Sequence, residues 1–188
     1  MRRFTRDELQ AFLKSVDKYA TKNSKLVLIG GAAATLSFGS AGGTVDIDTA
    51  NNVSSLERAC EAARIETGLP IPLGYASVFD APYEYESRLN RLALRGMRKL
   101  TVLVPEKHDW ALMKVVRFED KDLEQIKTAS KSVGLDLTVF EERFLTEMTH
   151  IEPRTRLMIH FLAMIEELYG DDEASRMEQA IKRHKFWQ

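Results

Sequence analysis

Two aspartates separated by one residue, Asp46 and Asp48, follow a glycine pair in the first third of the sequence. In a β-strand, the side chains of residues i and i+2 point to the same face, roughly 7 Å apart. A strand from Thr44 to Asp48 would therefore direct both carboxylates to one shared site and send Val45 and Ile47 into the core. Because Mg²⁺ prefers oxygen ligands, this spacing predicts a site for a hard divalent cation.

The glycine pair, Gly30-Gly31, lies between an apolar run at 25–29, predicted to be a strand, and a predicted short helix at 32–38. The first N–H groups of a helix have no intrahelical partner, and the helix dipole favours an anion. Glycine has no Cβ and allows a ligand to approach the backbone closely. The pair thus predicts a seat for phosphate, with a tight turn that binds no ligand as the alternative.

Other sites with recognisable spacing are absent from the sequence. A dinucleotide fingerprint would need glycine where Ala32 and Thr35 stand, and the Gly-Lys-Ser/Thr of a P-loop does not occur. Cys60 is the only cysteine and the four histidines lack zinc-type spacing. These observations exclude a disulfide framework and argue against a structural zinc site.

Composition and charge narrow the class of protein further. The 188 residues are 44% hydrophobic and 29% charged, which is typical of a globular domain. No apolar stretch approaches the roughly 20 residues needed to span a bilayer, and the first residues lack the apolar segment of a signal peptide. We therefore expect a cytoplasmic protein with no membrane partner.

Charge is unevenly distributed along a chain whose net charge is −1. Residues 40–87 carry eight acidic and two basic groups and include both aspartates, whereas residues 88–131 carry eleven basic and six acidic groups. This pattern predicts an acidic metal site with a basic surface for a polyanion. A solvated surface of mixed charge is the alternative.

Capping residues and turn residues predict the elements around these motifs. Thr5 and Glu8 form a capping-box pattern before an amphipathic helix, and Ser54 with Glu57 is predicted to cap a later one. Residues 66–84 are predicted to be a loop with a short strand near Tyr75 to Phe79.

The second half of the chain is predicted to be mostly helical. Two paired strands are expected in residues 89–104. Five helices are expected to follow, at about 107–119, 121–132, 137–148, 153–169 and 171–184. The order of elements predicts an α+β fold, a mixed sheet flanked by helices with a C-terminal helical layer. We expect an α/β core at 1–105 and a helical region at 106–188 packed on it.

The segment Leu28-Ile29-Gly30-Gly31, followed after fourteen residues by Asp46-Ile47-Asp48, resembles the nucleotidyltransferase signature of the polymerase-beta-like superfamily. The surrounding sequence is most similar to the minimal bacterial branch that includes the AbiEii-type abortive-infection toxins of toxin–antitoxin systems. A later stretch agrees with that branch: Leu112-Met113-Lys114, Arg117 and Lys121-Asp122-Leu123 after Pro105-Glu106.

The resemblance implies an enzyme that transfers a nucleoside monophosphate from an NTP to an acceptor hydroxyl, on RNA, tRNA or a protein. It implies that Asp46 and Asp48 hold Mg²⁺ and that Lys114 neutralises phosphate charge. Asp122 is expected to be a metal-side or lysine-orienting carboxylate, and a cognate antitoxin is an expected partner. The candidate nucleotide-binding residues are Gly30, Gly31, Thr44, Lys114 and Arg117.

Among the departures of the sequence from the family pattern, one concerns a carboxylate that catalysis would use. The superfamily usually supplies a third carboxylate from a later strand, and the predicted strand at 100–104 has none. Glu84 and Glu86 are the candidate substitutes. Two alternatives therefore stay open: a catalytically impaired relative that binds a nucleotide or a protein, and an unrelated helical interaction protein in which the glycine and aspartate pattern is accidental.

Overall fold

The computed structural model describes residues 2–187, which form two compact units. Unit 1 comprises residues up to 79 together with 89–105, and unit 2 comprises residues 80–88 together with those from 106 onward. The prediction of a boundary between residues 105 and 106, with one part packed on the other, stays a prediction.

Unit 1 contains three helices and five short strands among its described residues. In chain order they are α1 (Arg6–Tyr19), β1 (Ser24–Val27), α2 (Gly30–Ser37), β2 (Ile47–Thr49), α3 (Glu57–Thr67), β3 (Leu73–Tyr75), β4 (Asn90–Arg91) and β5 (Leu100–Val104).

The strands of unit 1 pair in both directions. β5 lies between β1, to which it is parallel, and β4, to which it is antiparallel. β2 pairs with β3 in parallel. An isolated antiparallel bridge between Leu28 and Thr49 joins the two groups, and it brings the end of β1 beside the strand that carries Asp48.

Helix α1 begins with the capping box that the sequence predicts. The Thr5 side chain accepts from the Glu8 N–H, and the Glu8 carboxylate accepts from the Thr5 N–H at 2.8 Å. The apolar stripe of the helix is fully buried, and α1 packs chiefly against α3. This stripe consists of Leu9, Phe12, Leu13 and Val16.

Unit 2 is helical, and its core contains several aromatic side chains. Its helices are α4 (Lys107–Arg117), α5 (Asp120–Val133), α6 (Leu137–Glu147), α7 (Arg154–Tyr169) and α8 (Asp171–Arg183). Trp110, Phe140, Phe144 and Phe161 are fully buried. The rings of Phe144 and Phe161 stack with their centroids 3.7 Å apart.

The α+β class, with small mixed sheets and helices, is confirmed. Three local predictions are wrong. Asp46 lies in a bend before β2, and Val45 is only partly buried. Ser54 begins a 3₁₀ turn and does not cap α3 with its side chain. The predicted strand near residues 75–79 lies earlier, at Leu73–Tyr75, because it pairs with β2.

Within residues 2–187, no helix combines the length and the apolar character that crossing a bilayer requires.

Candidate active site

The carboxylate of Asp48 lies against the N-terminal turn of α2. A Cβ built on Gly30 would sit 3.3 Å from Asp48 Oδ2, and Gly30 has a φ of +58°. This backbone conformation is one that residues with a side chain rarely adopt. The glycine therefore serves two purposes: it makes the turn from β1 into α2, and it lets the carboxylate come close to the backbone.

Backbone hydrogen bonds hold Asp48 and this turn together. The Ile29 N–H donates to the Asp48 carbonyl oxygen at 3.0 Å, and the Ala50 N–H donates to the Val27 carbonyl oxygen at 2.8 Å. Ile29 is the N-cap residue of α2, and its aliphatic side chain cannot accept a hydrogen bond from the first turn. The beginning of α2, with Gly30 and Gly31, thus keeps a backbone suited to an anion beside a carboxylate suited to a cation.

Asp46 stands two residues earlier, in the bend that leads into β2. Its carboxylate is partly buried and accepts from the Thr44 hydroxyl over 3.5 Å. Within residues 2–187 it forms no ion pair. The sequence predicted that Asp46 and Asp48 share one face of a strand, but Asp46 does not belong to the strand. Strand geometry therefore does not direct both carboxylates to one site.

The chain before Asp46 is positioned by a contact that sequence reasoning missed. Phe4 and Thr44 form an antiparallel bridge, with N–H···O distances of 2.7 and 3.1 Å. A Cβ on Gly43, which has a φ of +65°, would be 2.6 Å from the Phe4 carbonyl oxygen. The guanidinium of Arg3 also donates to the carbonyl oxygens of Gly42 and Gly43. The Gly42-Gly43 dipeptide just before the aspartates was the feature of the sequence that could have predicted this close approach.

The candidate residues of unit 2 form a cluster of their own. Lys114 Nζ lies 2.7 Å from Asp122 Oδ1, and Arg117 donates to both oxygens of Asp122 at 2.8 and 2.9 Å. Both Lys114 and Asp122 are buried, with 5% and 0% of their side chains exposed. Arg117 is mostly exposed. Asp122 also closes a capping box with Glu119 at the start of α5.

Burial and ion pairing have opposing effects on the pKa values of Lys114 and Asp122. Burial lowers the pKa of Lys114, and the hydrogen bond to Asp122 only partly offsets it. Burial alone would raise the pKa of Asp122, but hydrogen bonds from Arg117 and Lys114 outweigh it and lower that pKa. Asp122 is therefore held as an anion that orients the Lys114 ammonium.

The two candidates for a third carboxylate, Glu84 and Glu86, belong to unit 2. The Glu84 N–H donates to the Glu147 carboxylate, and Glu86 accepts from the Tyr85 hydroxyl. No group of three or more His, Cys, Asp or Glu side chains suited to a metal ion occurs among residues 2–187. Asp46 and Asp48 each offer the hard carboxylate oxygens that Mg²⁺ takes as ligands, so the chemistry of these side chains fits a divalent cation.

Comparison with protein families gives a match that extends over residues 7–167. The family is described as a nucleotidyltransferase of unknown function, DUF6036. The chain belongs to this family.

Membership in this nucleotidyltransferase family agrees with the superfamily that the sequence pattern suggested, and it covers both the glycine–aspartate region and the Lys114–Asp122 cluster. No curated protein and no solved structure gave a significant match. The family description names the class of reaction and leaves its substrate open.

Proposed function

We propose that this nucleotidyltransferase uses Mg²⁺ to transfer a nucleoside monophosphate from an NTP to a hydroxyl acceptor. The observation that carries the proposal is the Asp48 carboxylate beside the Gly30 turn, where a Cβ would come within 3.3 Å of Oδ2. A cation ligand and a backbone suited to phosphate thus adjoin each other, as transfer from a metal-bound triphosphate requires.

In the proposed reaction, the acceptor hydroxyl releases its proton to water and its oxygen attacks the α-phosphorus of the NTP. A new P–O bond forms, the bond to the bridging oxygen breaks, and pyrophosphate leaves with that electron pair. The N–H groups at the start of α2 would bind the triphosphate, while Asp46 and Asp48 would hold Mg²⁺. When bound, the metal neutralises developing charge and polarises oxygen.

Lys114 and Asp122 support a separate contribution. Because Asp122 is fully buried and lies 2.7 Å from Lys114 Nζ, it is suited to orient the lysine and unsuited to reach a metal through a free oxygen. Of the two roles predicted for Asp122, we therefore propose the lysine-orienting one. Arg117, which is mostly exposed, is the better candidate in this cluster for direct contact with phosphate.

The biological setting of the proposal follows from the resemblance of the glycine and aspartate segments to AbiEii-type toxins. We propose a cytoplasmic toxin-like enzyme of a bacterial toxin–antitoxin or phage-defence system, which modifies RNA, tRNA or a protein and is restrained by a cognate antitoxin.

A second candidate function is nucleotide or protein binding without catalysis. It is favoured by one observation: residues 2–187 contain no three-membered carboxylate cluster suited to a metal. Under this alternative, the Gly30 turn would still bind NTP, but no label would pass to an acceptor.

Incubation with Mg²⁺, each α-labelled NTP and separate pools of RNA and protein tests the proposal. We expect label on an acceptor with the wild type and with Asp80→Asn, which changes an exposed aspartate of unit 2. Asp46→Asn and Asp48→Asn should each lower transfer by about 10³-fold, or about 4 kcal/mol. Magnesium-dependent binding of NTP without any transfer would favour the second candidate, and transfer that survives both substitutions would overturn the proposed site.

A further inference from the structure

Residues 87–105 are the most strongly basic stretch of the sequence. They contain five cations and no acidic residue, in a chain whose net charge is −1. The cations are Arg88, Arg91, Arg95, Arg98 and Lys99. We call residues 89–99, which comprise β4 and the segment that joins it to β5, the basic hairpin.

The cations of the basic hairpin differ from Arg88 in their surroundings. Arg88, in unit 2, is engaged by Asp109 and Glu147 at 2.6–2.9 Å. Arg91, Arg95 and Arg98 are exposed, and none of them forms an ion pair with any other residue of 2–187. Their charge is thus available to a ligand.

The base of the basic hairpin is firmly anchored within unit 1. The buried carboxylate of Asp17 accepts from the backbone N–H groups of Arg98, Lys99 and Leu100 at 2.6–3.0 Å. Burial would raise the pKa of Asp17, but these backbone donors outweigh it and lower that pKa. The exposed guanidinium groups therefore belong to a segment whose backbone is held in place at its base.

A cavity of about 380 Å³ opens in this hairpin. Its lining combines the two arginines Arg91 and Arg95 with apolar side chains, chiefly Leu92, Leu94 and Met97. The volume lies in the range of about 300–1,000 Å³ found for small-molecule clefts. An apolar cavity flanked by guanidinium groups is suited to a flat base next to a phosphate, because bases stack on guanidinium planes and on apolar surfaces.

The strand topology places the basic hairpin along the whole of β5 inside unit 1. Arg91, in β4, lies opposite Leu103 of β5, and Leu103 pairs with Val27, the last residue of β1. Gly30 follows this end of β1. The last residues of the hairpin lead into the first residue of β5, at the opposite end of the strand. A polymer can therefore occupy the glycine–aspartate turn and the full length of the hairpin together.

We propose that the basic hairpin binds the single-stranded nucleic acid that serves as acceptor, with Arg91 and Arg95 on phosphates and one unstacked base in the cavity. This inference rests on the proposed function for the identity of the ligand as the acceptor. The binding surface itself depends only on the charge, exposure and cavity of the hairpin.

Fluorescence anisotropy with a labelled 12-nucleotide single-stranded RNA, and with DNA of the same sequence, tests this proposal. The double variant Arg91→Glu/Arg95→Glu reverses two charges at the cavity. Lys14→Glu/Arg58→Glu makes the same change in charge at two exposed cations elsewhere in unit 1. We expect at least about tenfold weaker binding for the hairpin variant and less than about threefold for the control.

Salt dependence gives a second measurement that a variant with altered folding would not mimic. Since each phosphate contact to a single strand contributes about 0.7 to the slope of log K against log salt, the milder Arg91→Gln/Arg95→Gln should lower the magnitude of that slope by about 1.4. Equal loss of RNA binding in both charge-reversal variants would overturn the proposal. So would wild-type protein that binds a poly-glutamate peptide and neither nucleic acid.

The same titrations separate this proposal from the proposed activity. Asp46→Asn and Asp48→Asn should bind the oligonucleotide as the wild type does, although transfer is lost. RNA bound through the hairpin in a protein that transfers no label would contradict the activity and support the surface. Label transfer to RNA that survives Arg91→Glu/Arg95→Glu with unchanged affinity for RNA would overturn the surface and support the activity.

Discussion

Aspartates lie in two contrasting environments in the two units of this nucleotidyltransferase. In unit 2, Asp122 is fully buried and its oxygens receive hydrogen bonds from Lys114 and Arg117. In unit 1, Asp46 and Asp48 are partly buried, and Asp48 lies against a glycine backbone. The protein thus supplies cationic side chains to the Asp122 carboxylate, whereas the Asp46 carboxylate has no cationic partner within the described residues.

The difference separates a structural use of charge at Asp122 from the catalytic use that we propose for Asp46 and Asp48. A buried carboxylate without a cation is costly, so Asp122 must be compensated within the fold. A partly exposed carboxylate remains hydrated and can exchange water for Mg²⁺. Loss of the Asp122 carboxylate should therefore lower stability, whereas loss of the Asp46 or Asp48 carboxylate should lower activity.

The largest effect on stability is expected from Asp122→Ala. Removing this carboxylate leaves the Lys114 ammonium buried without its partner, and breaking a buried pair in this way costs about 3–5 kcal/mol. Because Trp110 and Trp187 are the two tryptophans of the chain and both belong to unit 2, urea unfolding followed by tryptophan fluorescence measures the loss directly.

The control for this substitution is the double variant Lys114→Met/Asp122→Leu. It removes both buried charges and keeps similar volume, so it should recover most of the stability that Asp122→Ala loses. Activity should stay low, since the oriented lysine is gone. Full stability of Asp122→Ala would show that this carboxylate is not structural and would remove the contrast with unit 1.

Acidification is the next test of unit 2. Burial would raise the pKa of Glu106, but hydrogen bonds from His108 and Arg143 lower it from 4.5 to about 2. A carboxyl group with a depressed folded-state pKa stabilises the protein above its unfolded-state pKa. The Glu106 contribution, about 1.5–3 kcal/mol, should be complete above about pH 4.5 and should vanish as the pH falls towards 2.

Urea midpoints measured by tryptophan fluorescence between pH 2 and pH 6 reveal this contribution. Glu106→Gln should be less stable than the wild type at pH 6 and should approach it at pH 2. Glu142→Gln, which changes an exposed glutamate of the same unit, should leave the pH profile unchanged. Parallel profiles for the wild type and Glu106→Gln would contradict the assigned pKa.

The sequence predicted the elements better than the contacts between them. The capping residues Thr5 and Glu8 begin α1 because they act on the adjacent backbone, which a local pattern can reveal. The pairing of Arg88 with Asp109 and Glu147 joins residues 21 and 59 positions apart. No local rule selects such partners among 28 acidic residues.

The candidate site was predicted to a similar extent. The glycine pair at the start of α2 and the nearness of Asp48 follow from the strand–turn–helix pattern. The bend at Asp46 was missed because the bridge from Phe4 to Thr44 forms across forty residues of sequence. Tertiary pairing thus overrides the strand pattern of residues 44–46.

Gly30→Ala tests the close approach on which the unit 1 site depends. Because Gly30 has a positive φ and a Cβ at this position would lie 3.3 Å from Asp48 Oδ2, the substitution should lower the free energy of unfolding by about 1–2 kcal/mol. The rate of label transfer should fall further than this loss of stability explains, because the new Cβ occupies the space beside the Asp48 carboxylate. Gly42→Ala, whose Cβ would meet only the Arg3 side chain at 3.9 Å, should change the free energy of unfolding by less than about 0.5 kcal/mol.

Thermal unfolding and labelled-NTP transfer, measured on the same preparations, decide this comparison. Equal behaviour of the two alanine variants in both assays would mean that the Gly30 turn does not shape the site. Loss of stability with full activity per folded molecule would make Gly30 a structural residue only.

The smallest effect is expected from Thr44→Val, which replaces the predicted nucleotide-binding hydroxyl by a methyl group of similar size. The bond from this hydroxyl to Asp46 is 3.5 Å long, at the weak limit of hydrogen bonding, and the backbone bridge to Phe4 does not involve the side chain. Stability should therefore change by less than about 0.5 kcal/mol.

The effect of Thr44→Val on kinetics distinguishes orientation of Asp46 from contact with the nucleotide. If the hydroxyl only orients the carboxylate, kcat should fall a few-fold while the KM for NTP stays constant, and Thr44→Ser should behave as the wild type. A raised KM with unchanged kcat would instead assign Thr44 to the nucleotide. A loss as large as that of Asp46→Asn would contradict the weak-bond argument, because it would require Thr44 to act on the metal or the reacting phosphate itself.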